Sequence, residues 1–164
     1  MISFRFFFRA RNIFVLWLLL PLLAVAQDKF SSPTGYVNDL ENILLPAQAH
    51  ELDSLLQDYD ARTTRQIVVV TTPDFMDFRN IGEYSLALFN EWEIGQRETN
   101  NGLLIVLSSA QRKVRISTGS GTEQILTDAI CKSIIDELML PELRAGRYYE
   151  ALLSGVRALM EKWN

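Results

Sequence analysis

The sequence predicts a mixed α/β domain in which a small sheet is sandwiched between helices, and three observations carry that prediction. Gln66 to Thr72 reads Gln-Ile-Val-Val-Val-Thr-Thr, a β-branched run without alternation that marks a strand covered on both faces. Leu103 to Leu107 is a second continuous apolar run, and the stretch between the two has helical periodicity, so strand, helix and strand form a right-handed parallel crossover. Lys113-Val114-Arg115-Ile116-Ser117 alternates instead. It follows the second strand after the short turn Ser108 to Arg112, so it pairs antiparallel at the sheet edge, where its charges discourage further pairing.

The helices follow from spacing. After a brief extended segment, Tyr36-Val37-Asn38-Asp39, Pro46 opens a helix whose apolar positions Leu52, Leu55, Leu56 and Tyr59 recur at helical intervals. Asn80 with Glu83 makes a capping box for a second helix, which buries Ile81, Tyr84, Leu88 and Trp92 and ends near Ile94-Gly95. Beyond Gly119-Ser120-Gly121, two amphipathic helices run over about Thr127 to Met139 and Tyr148 to Lys162, separated by Pro141 and Gly146. There is no internal repeat and no low-complexity tract.

The start of the chain reads as an export signal. Arg5, Arg9 and Arg11 precede the apolar run Ile13 to Ala26, which ends in Ala24-Val25-Ala26, a pattern a signal peptidase cuts before Gln27. The competing reading is an uncleaved anchor, but a bilayer span needs about 20 uninterrupted apolar residues, and Arg9, Arg11, Asn12 and Pro21 interrupt this one. The predicted organisation is a signal peptide over 1–26, a flexible leader over 27–35 and one domain over 36–164. A domain of this size buries about two thirds of its unfolded surface and needs no covalent staple. The lone Cys131 lies in an apolar helical stretch and reads as a small buried hydrophobe. Without the three signal arginines, 13 basic residues remain against 20 acidic ones, which argues against nucleic acid or anionic lipid as a partner and leaves metal cations open.

Strand direction sorts the polar residues by end of the sheet. The loop 96–102 enters the second strand and the Gly119 loop leaves the antiparallel third, so Glu98, Asn100, Asn101, Ser120, Glu123 and Asp128 are candidate neighbours. Asp74 and Asp77 belong to the opposite end, and Asp39 falls nearer Asp74 than Glu123. Carboxylates, amides and loop carbonyls are the ligand set of calcium; solvated turns with glycines required for geometry are the plainer alternative. A phosphate cradle matches poorly, because Gly119-x-Gly121 has Gln124 in place of a third glycine and Glu123 where an anion would be repelled. His50 has no histidine partner and reads as a surface residue, and no serine sits in a nucleophile elbow. Trp92, Trp163, Tyr148 and Tyr149 read as core.

Gly35-Tyr36-Val37-Asn38-Asp39, Gln66 to Thr71, Trp92-Glu93-Ile94-Gly95, Asn101-Gly102-Leu103-Leu104, Arg112 to Ile116 and Gly119-x-Gly121-x-Glu123 occur in the order and spacing of the TPM domain, which the whole stretch after the signal resembles. The resemblance implies a Rossmann-like α/β/α sandwich with a small mixed sheet flanked by four or more helices. It also implies calcium binding, and an acid phosphatase activity proposed for a thylakoid-lumen member linked to photosystem II repair. Carried over residue by residue, it implies metal ligands at Asp39, Asn101, Glu123 and Asp128; Glu98, Asn100, Asp74 and Asp77 remain further candidates from the loop chemistry alone. Two departures are visible. Asn100 stands where the family often has aspartate, which removes a charge from a cation site, and Leu45 stands where it often has a capping serine, worth about 1 kcal/mol. Many members continue into a transmembrane helix; here the chain reaches Asn164 without one, so no membrane anchor is expected once the signal is cut.

Two functions follow as expectations. The first is an exported, periplasmic or extracellular calcium-binding module that engages envelope or membrane proteins in their maintenance or turnover. The alternative is a metal-assisted phosphatase in which a cation polarises a phosphoryl oxygen and a carboxylate activates water.

Overall fold

The structure, a computed structural model, describes residues 29–164, so the signal read over 1–26 and the first two residues of the leader lie outside the described residues. The elements run β1 (Val37–Asp39), α1 (Pro46–Thr63), β2 (Gln66–Thr71), α2 (Ile81–Glu91), β3 (Gly102–Ser108), β4 (Lys113–Thr118), α3 (Ser120–Glu123), α4 (Asp128–Ile134), a π-helical stretch Ile135–Met139, α5 (Leu140–Arg144) and α6 (Tyr148–Lys162). The sheet has four strands in the order β1-β2-β3-β4. β1, β2 and β3 are mutually parallel neighbours, with Val69 opposite both Val37 and Ile105, while β4 returns antiparallel beside β3 with Ile105 opposite Ile116.

Alternation along β2 and β3 divides the core. Ile67, Val69, Leu103, Ile105 and Leu107 face one helical layer, where they pack with Leu52, Leu56 and Tyr59 of α1, Cys131 and Ile134 of α4, and Leu152, Val156 and Leu159 of α6. Val68, Val70, Leu104 and Val106 face the other layer, where Tyr84 and Leu88 of α2 cover them together with Phe30 and Ile94. Both faces of the parallel strands are therefore dry, which is why their sequences run continuously apolar. This is the mixed α/β/α sandwich expected from the sequence.

Three local differences have physical causes. Residues at the start of the described chain are held rather than loose. Phe30 is buried, stacks on Phe78 and meets Tyr84 edge-on; its backbone N–H donates to Glu91 Oε1 at 2.7 Å, and Trp92 Nε1 donates to the Ser31 carbonyl at 3.0 Å. Lys29 sits 3.9 Å over the Phe78 ring. The expected flexible leader thus gives way, from Lys29 to Ser31, to a strap across α2.

Pro141 does not end the helix before it. Helical structure passes from α4 through the π-helical stretch into α5, with Pro141 in the first turn of α5. A proline lacks the N–H and crowds the carbonyl four residues back; the wider π turn displaces that carbonyl. The stop comes instead at Gly146, whose φ of 72° is the left-handed end that glycine adopts without strain. At α1, Leu45 offers no capping side chain, but Gln48 Oε1 accepts its backbone N–H at 2.9 Å. At α2, Asn80 Oδ1 caps Glu83 N as expected, while the Glu83 carboxylate reaches one residue further back, to Arg79 N.

Replacing Phe30 with alanine removes the ring that joins the strap to α2 and is expected to lower stability by about 3 kcal/mol, read as a lower urea midpoint at unchanged slope. A shift under about half a kcal/mol would mean that the strap contributes nothing to the core. A second expectation concerns alkaline pH. Tyr36 Oη donates to Asp60 Oδ2 at 2.7 Å, and this bond, more than burial, pushes the phenol up from 10 to about 12. With the folded value above the unfolded one, the contribution is complete below pH 10 and is lost as pH rises toward about 12. Tyr36→Phe should therefore lose less stability than the parent between those limits. Equal losses would assign the effect to other phenols, such as Tyr59 and Tyr84, which burial also raises.

Candidate functional site

The loops predicted to meet at the amino end of β3 do meet. Gly119 N donates to the Gly102 carbonyl at 2.9 Å, Gly121 N to the Asn100 carbonyl at 3.2 Å, and Thr122 Oγ1 to the Gly102 carbonyl at 2.9 Å. A Cβ at Gly102, Gly119 or Gly121 would stand 2.3, 2.3 or 1.9 Å from the carbonyl oxygens of Ile94, Asn100 and Thr99, closer than any real methyl group comes. These glycines are required by backbone contact. The Asn101 side chain is also committed: Oδ1 accepts Gln96 N at 2.9 Å and Nδ2 donates to the Thr64 carbonyl. Glu98, Asn100 and Glu123 are exposed on these loops.

Asp39 lies elsewhere. It is level with Thr71 and Leu107, at the carboxyl end of the parallel strands, whereas Asn101 precedes Gly102 at the other end. At about 3.3 Å per residue, the two positions are roughly 20 Å apart along the strand direction. Both Asp39 oxygens are engaged: Oδ1 accepts the Thr71 hydroxyl and Ile43 N, and Oδ2 accepts Leu44 N at 2.9 Å. Asp39 therefore closes the turn into α1. Asp74 accepts Met76 N at 2.9 Å and Asp77 pairs with Lys29 at 3.7 Å, both in the loop after β2. Asp128 opens α4 and lines a groove beside Val114, Arg115 and Ile116, on the flank of the sheet.

The predicted metal ligands are thus divided among both ends and one flank of the sheet. Among the described residues, no group of three or more His, Cys, Asp or Glu side chains is placed to hold a metal ion. These residues do not fit a closed calcium cage, which takes six to eight oxygens around one point. His50 is exposed, and Cys131 is buried with its thiol pushed up to about 11, chiefly by burial and secondarily by Asp128, so it is unreactive at neutral pH.

At the carboxyl end of the parallel strands, where open α/β sheets generally bind ligands, the sequence reading named only the carboxylates Asp39, Asp74 and Asp77 and missed Leu40 and Glu41. There the Leu40 backbone N–H donates to the Thr71 carbonyl, and Thr72 N to the Leu107 carbonyl, which draws the loops after β1, β2 and β3 together. Glu41 ties them further: its carboxylate accepts Ser109 N at 2.9 Å, the Ser109 hydroxyl at 2.7 Å and Ala110 N at 2.8 Å. Beside this junction lies a groove of about 300 Å³ lined by Phe30, Leu40, Met76, Tyr84, Leu88 and Trp92, among others. Leu40 is 47% and Met76 51% exposed. The position of Leu40 one residue past a parallel strand was the available signal, and it needed β1 to be recognised as part of the sheet.

The family model for the TPM domain matches residues 37–162. The N-terminal domain of a protein from P. gingivalis, solved in solution by NMR, is 35% identical over 79% of this chain and 82% of its own, with a TM-score of 0.71. The N-terminal domain of cg2496 from Corynebacterium glutamicum (15% identity, 82% and 86% covered, TM-score 0.61) and the BA42 protein of Bizionia argentinensis (14%, 76% and 88%, TM-score 0.65) share the fold. No curated protein matches the chain. A family match across nearly all of the described domain, joined to the sheet order and loop contacts above, means that the chain belongs to the TPM domain family.

Proposed function

We propose that this TPM domain is an exported binding module that engages envelope or membrane proteins, with the contact made at the carboxyl end of its parallel strands. The observation that carries this reading is the groove flanked by Leu40 and Met76, two large apolar side chains left half in water. Such residues beside a concave apolar surface are what a partner's side chains cover. Among the described residues no helix is long and apolar enough to cross a membrane.

Calcium has a subordinate place in this reading. Its charged donors would be Glu98 and Glu123 on the touching loops at the amino end of β3, joined by loop carbonyls. With two carboxylates and no closed cage, calcium should be held no more tightly than the millimolar range. The metal-assisted phosphatase is the weaker reading, because Asp39 and Glu123 stand at opposite ends of the sheet and would not serve one phosphoryl group.

Photoreactive side chains placed at position 76 and, as a control, at the exposed Leu86 on α2 test the contact surface. In the cells of origin, position 76 should give a discrete protein adduct and position 86 none; an adduct pattern shared by both positions would sink the reading. Calorimetric titration of calcium should give saturable millimolar-range binding that Glu123→Ala removes. Micromolar binding that survives Glu123→Ala would place the cation outside these loops.

A further inference from the structure

A second cleft lies across the carboxyl edge of the sheet from the groove beside Leu40 and Met76, on the opposite face, the one that packs with α1, α4 and α6. Ser108 Oγ reaches the Pro73 carbonyl at 3.5 Å, Pro73 lines the first groove, and Ser108 lines the second. The second cleft, of about 340 Å³, lies between the β3–β4 hairpin and α5. Its apolar lining is Leu107, Val114, Leu140 and Leu143, and its cations are Arg112, Lys113 and Arg144.

Those cations have no carboxylate within ion-pair distance among the described residues. Two acidic groups on the elements that form the cleft or touch it are already committed. Glu142, on the same short helix as Arg144, is bonded to Arg147, and Glu41, at the hairpin, is bonded to Ser109 and Ala110. Arg112 holds a left-handed φ of 52°, a backbone state that asparagine or glycine occupies at lower cost. The described part of the chain is acidic as a whole, so a negatively charged partner is repelled by most of the surface and attracted here. That contrast fixes orientation and excludes wrong docking.

We propose that this cleft receives an acidic peptide segment of the partner protein, with carboxylates on Arg112, Lys113 and Arg144 and a flanking apolar side chain between Leu107, Val114 and Leu143. The inference rests on the binding-module reading and supplies its partner chemistry: a partner that covers Leu40 and Met76 and reaches around the carboxyl edge of the sheet places carboxylates at the hairpin and α5. Arginine supports this assignment, since its planar fork matches a carboxylate in two parallel hydrogen bonds.

The test uses the purified protein and two labelled probes at fixed ionic strength, the peptide acetyl-Glu-Leu-Asp-Leu-Glu-amide and its uncharged counterpart with Gln and Asn. The acidic peptide should bind saturably, shift backbone NMR signals over 107–114 and 140–144, and bind at least tenfold more tightly than the neutral one. Arg144→Glu and Arg112→Glu should each weaken it about tenfold, while Arg157→Glu, a charge reversal at an exposed position on α6, should leave it unchanged. Equal binding of the two peptides, equal weakening by all three variants, or binding of phenyl phosphate in place of the acidic peptide would overturn the proposal. The adduct at position 76 separates the two readings. If it persists in the Arg112→Glu, Arg144→Glu double variant, the module reading stands and the acidic-segment inference fails; if it never forms, the module reading itself fails.

Discussion

Strand β3 is buried along its whole length, from Gly102 to Ser108, and is paired on both sides, with β2 parallel and β4 antiparallel. Most of the architecture follows from satisfying that strand. Its backbone groups find partners in the two neighbouring ladders, since water cannot reach them. A parallel neighbour requires a crossover, which α2 supplies, and an antiparallel one permits the short hairpin over residues 109–112. Its side chains point alternately to the two faces, so both need covering: α2 and the Phe30 strap on one side, α1, α4 and α6 on the other.

The two ends of β3 have different work. At the amino end, backbone meets backbone so closely that Gly102, Gly119 and Gly121 cannot carry a side chain, and Asn101 spends its amide holding the 96–100 loop to the turn before β2. Little polar capacity is left over there beyond the exposed carboxylates of Glu98 and Glu123. At the carboxyl end Asp39 and Glu41 are inward-bound instead, while Asp74 and Asp77 stay exposed in the loop after β2. Asp39 and Glu41 accept backbone N–H groups of the loops around them, which fixes those loops, with Leu40, Met76 and Arg112 exposed beside them. On the proposed reading such a surface serves recognition; bond-breaking chemistry would need an activated group held against the reacting atom.

The electrostatics follow the same division. An acidic domain that pairs Glu142 with Arg147 and binds Glu41 into a hairpin leaves Arg112, Lys113 and Arg144 as a local exception to its own field. The net charge of the chain gives no hint of this, because net charge averages over positions that folding separates or brings together. Arg112 and Arg144 are distant in sequence and become neighbours only when α5 packs beside the hairpin.

Patterns of side-chain spacing determined the layers. The continuous runs at 66–72 and 103–107, the alternation at 113–117 and the helical stripes define strands, helices and the antiparallel return, because burial on one face or two imposes its own period on the sequence. Strand direction was enough to place the 96–102 and Gly119 loops together. Tertiary structure alone decided what those loops do with their polar atoms. A carboxylate in sequence is equally a metal ligand or a cap, and only the backbone N–H groups around Asp39 show which. It alone decided that a π turn carries the helix past Pro141, that Phe30 straps the chain to α2, and that residues from β1, β2, the hairpin and α5 share one end of the sheet. Each of these depends on contacts between segments far apart in the chain, whose closeness is set by packing rather than by local preference.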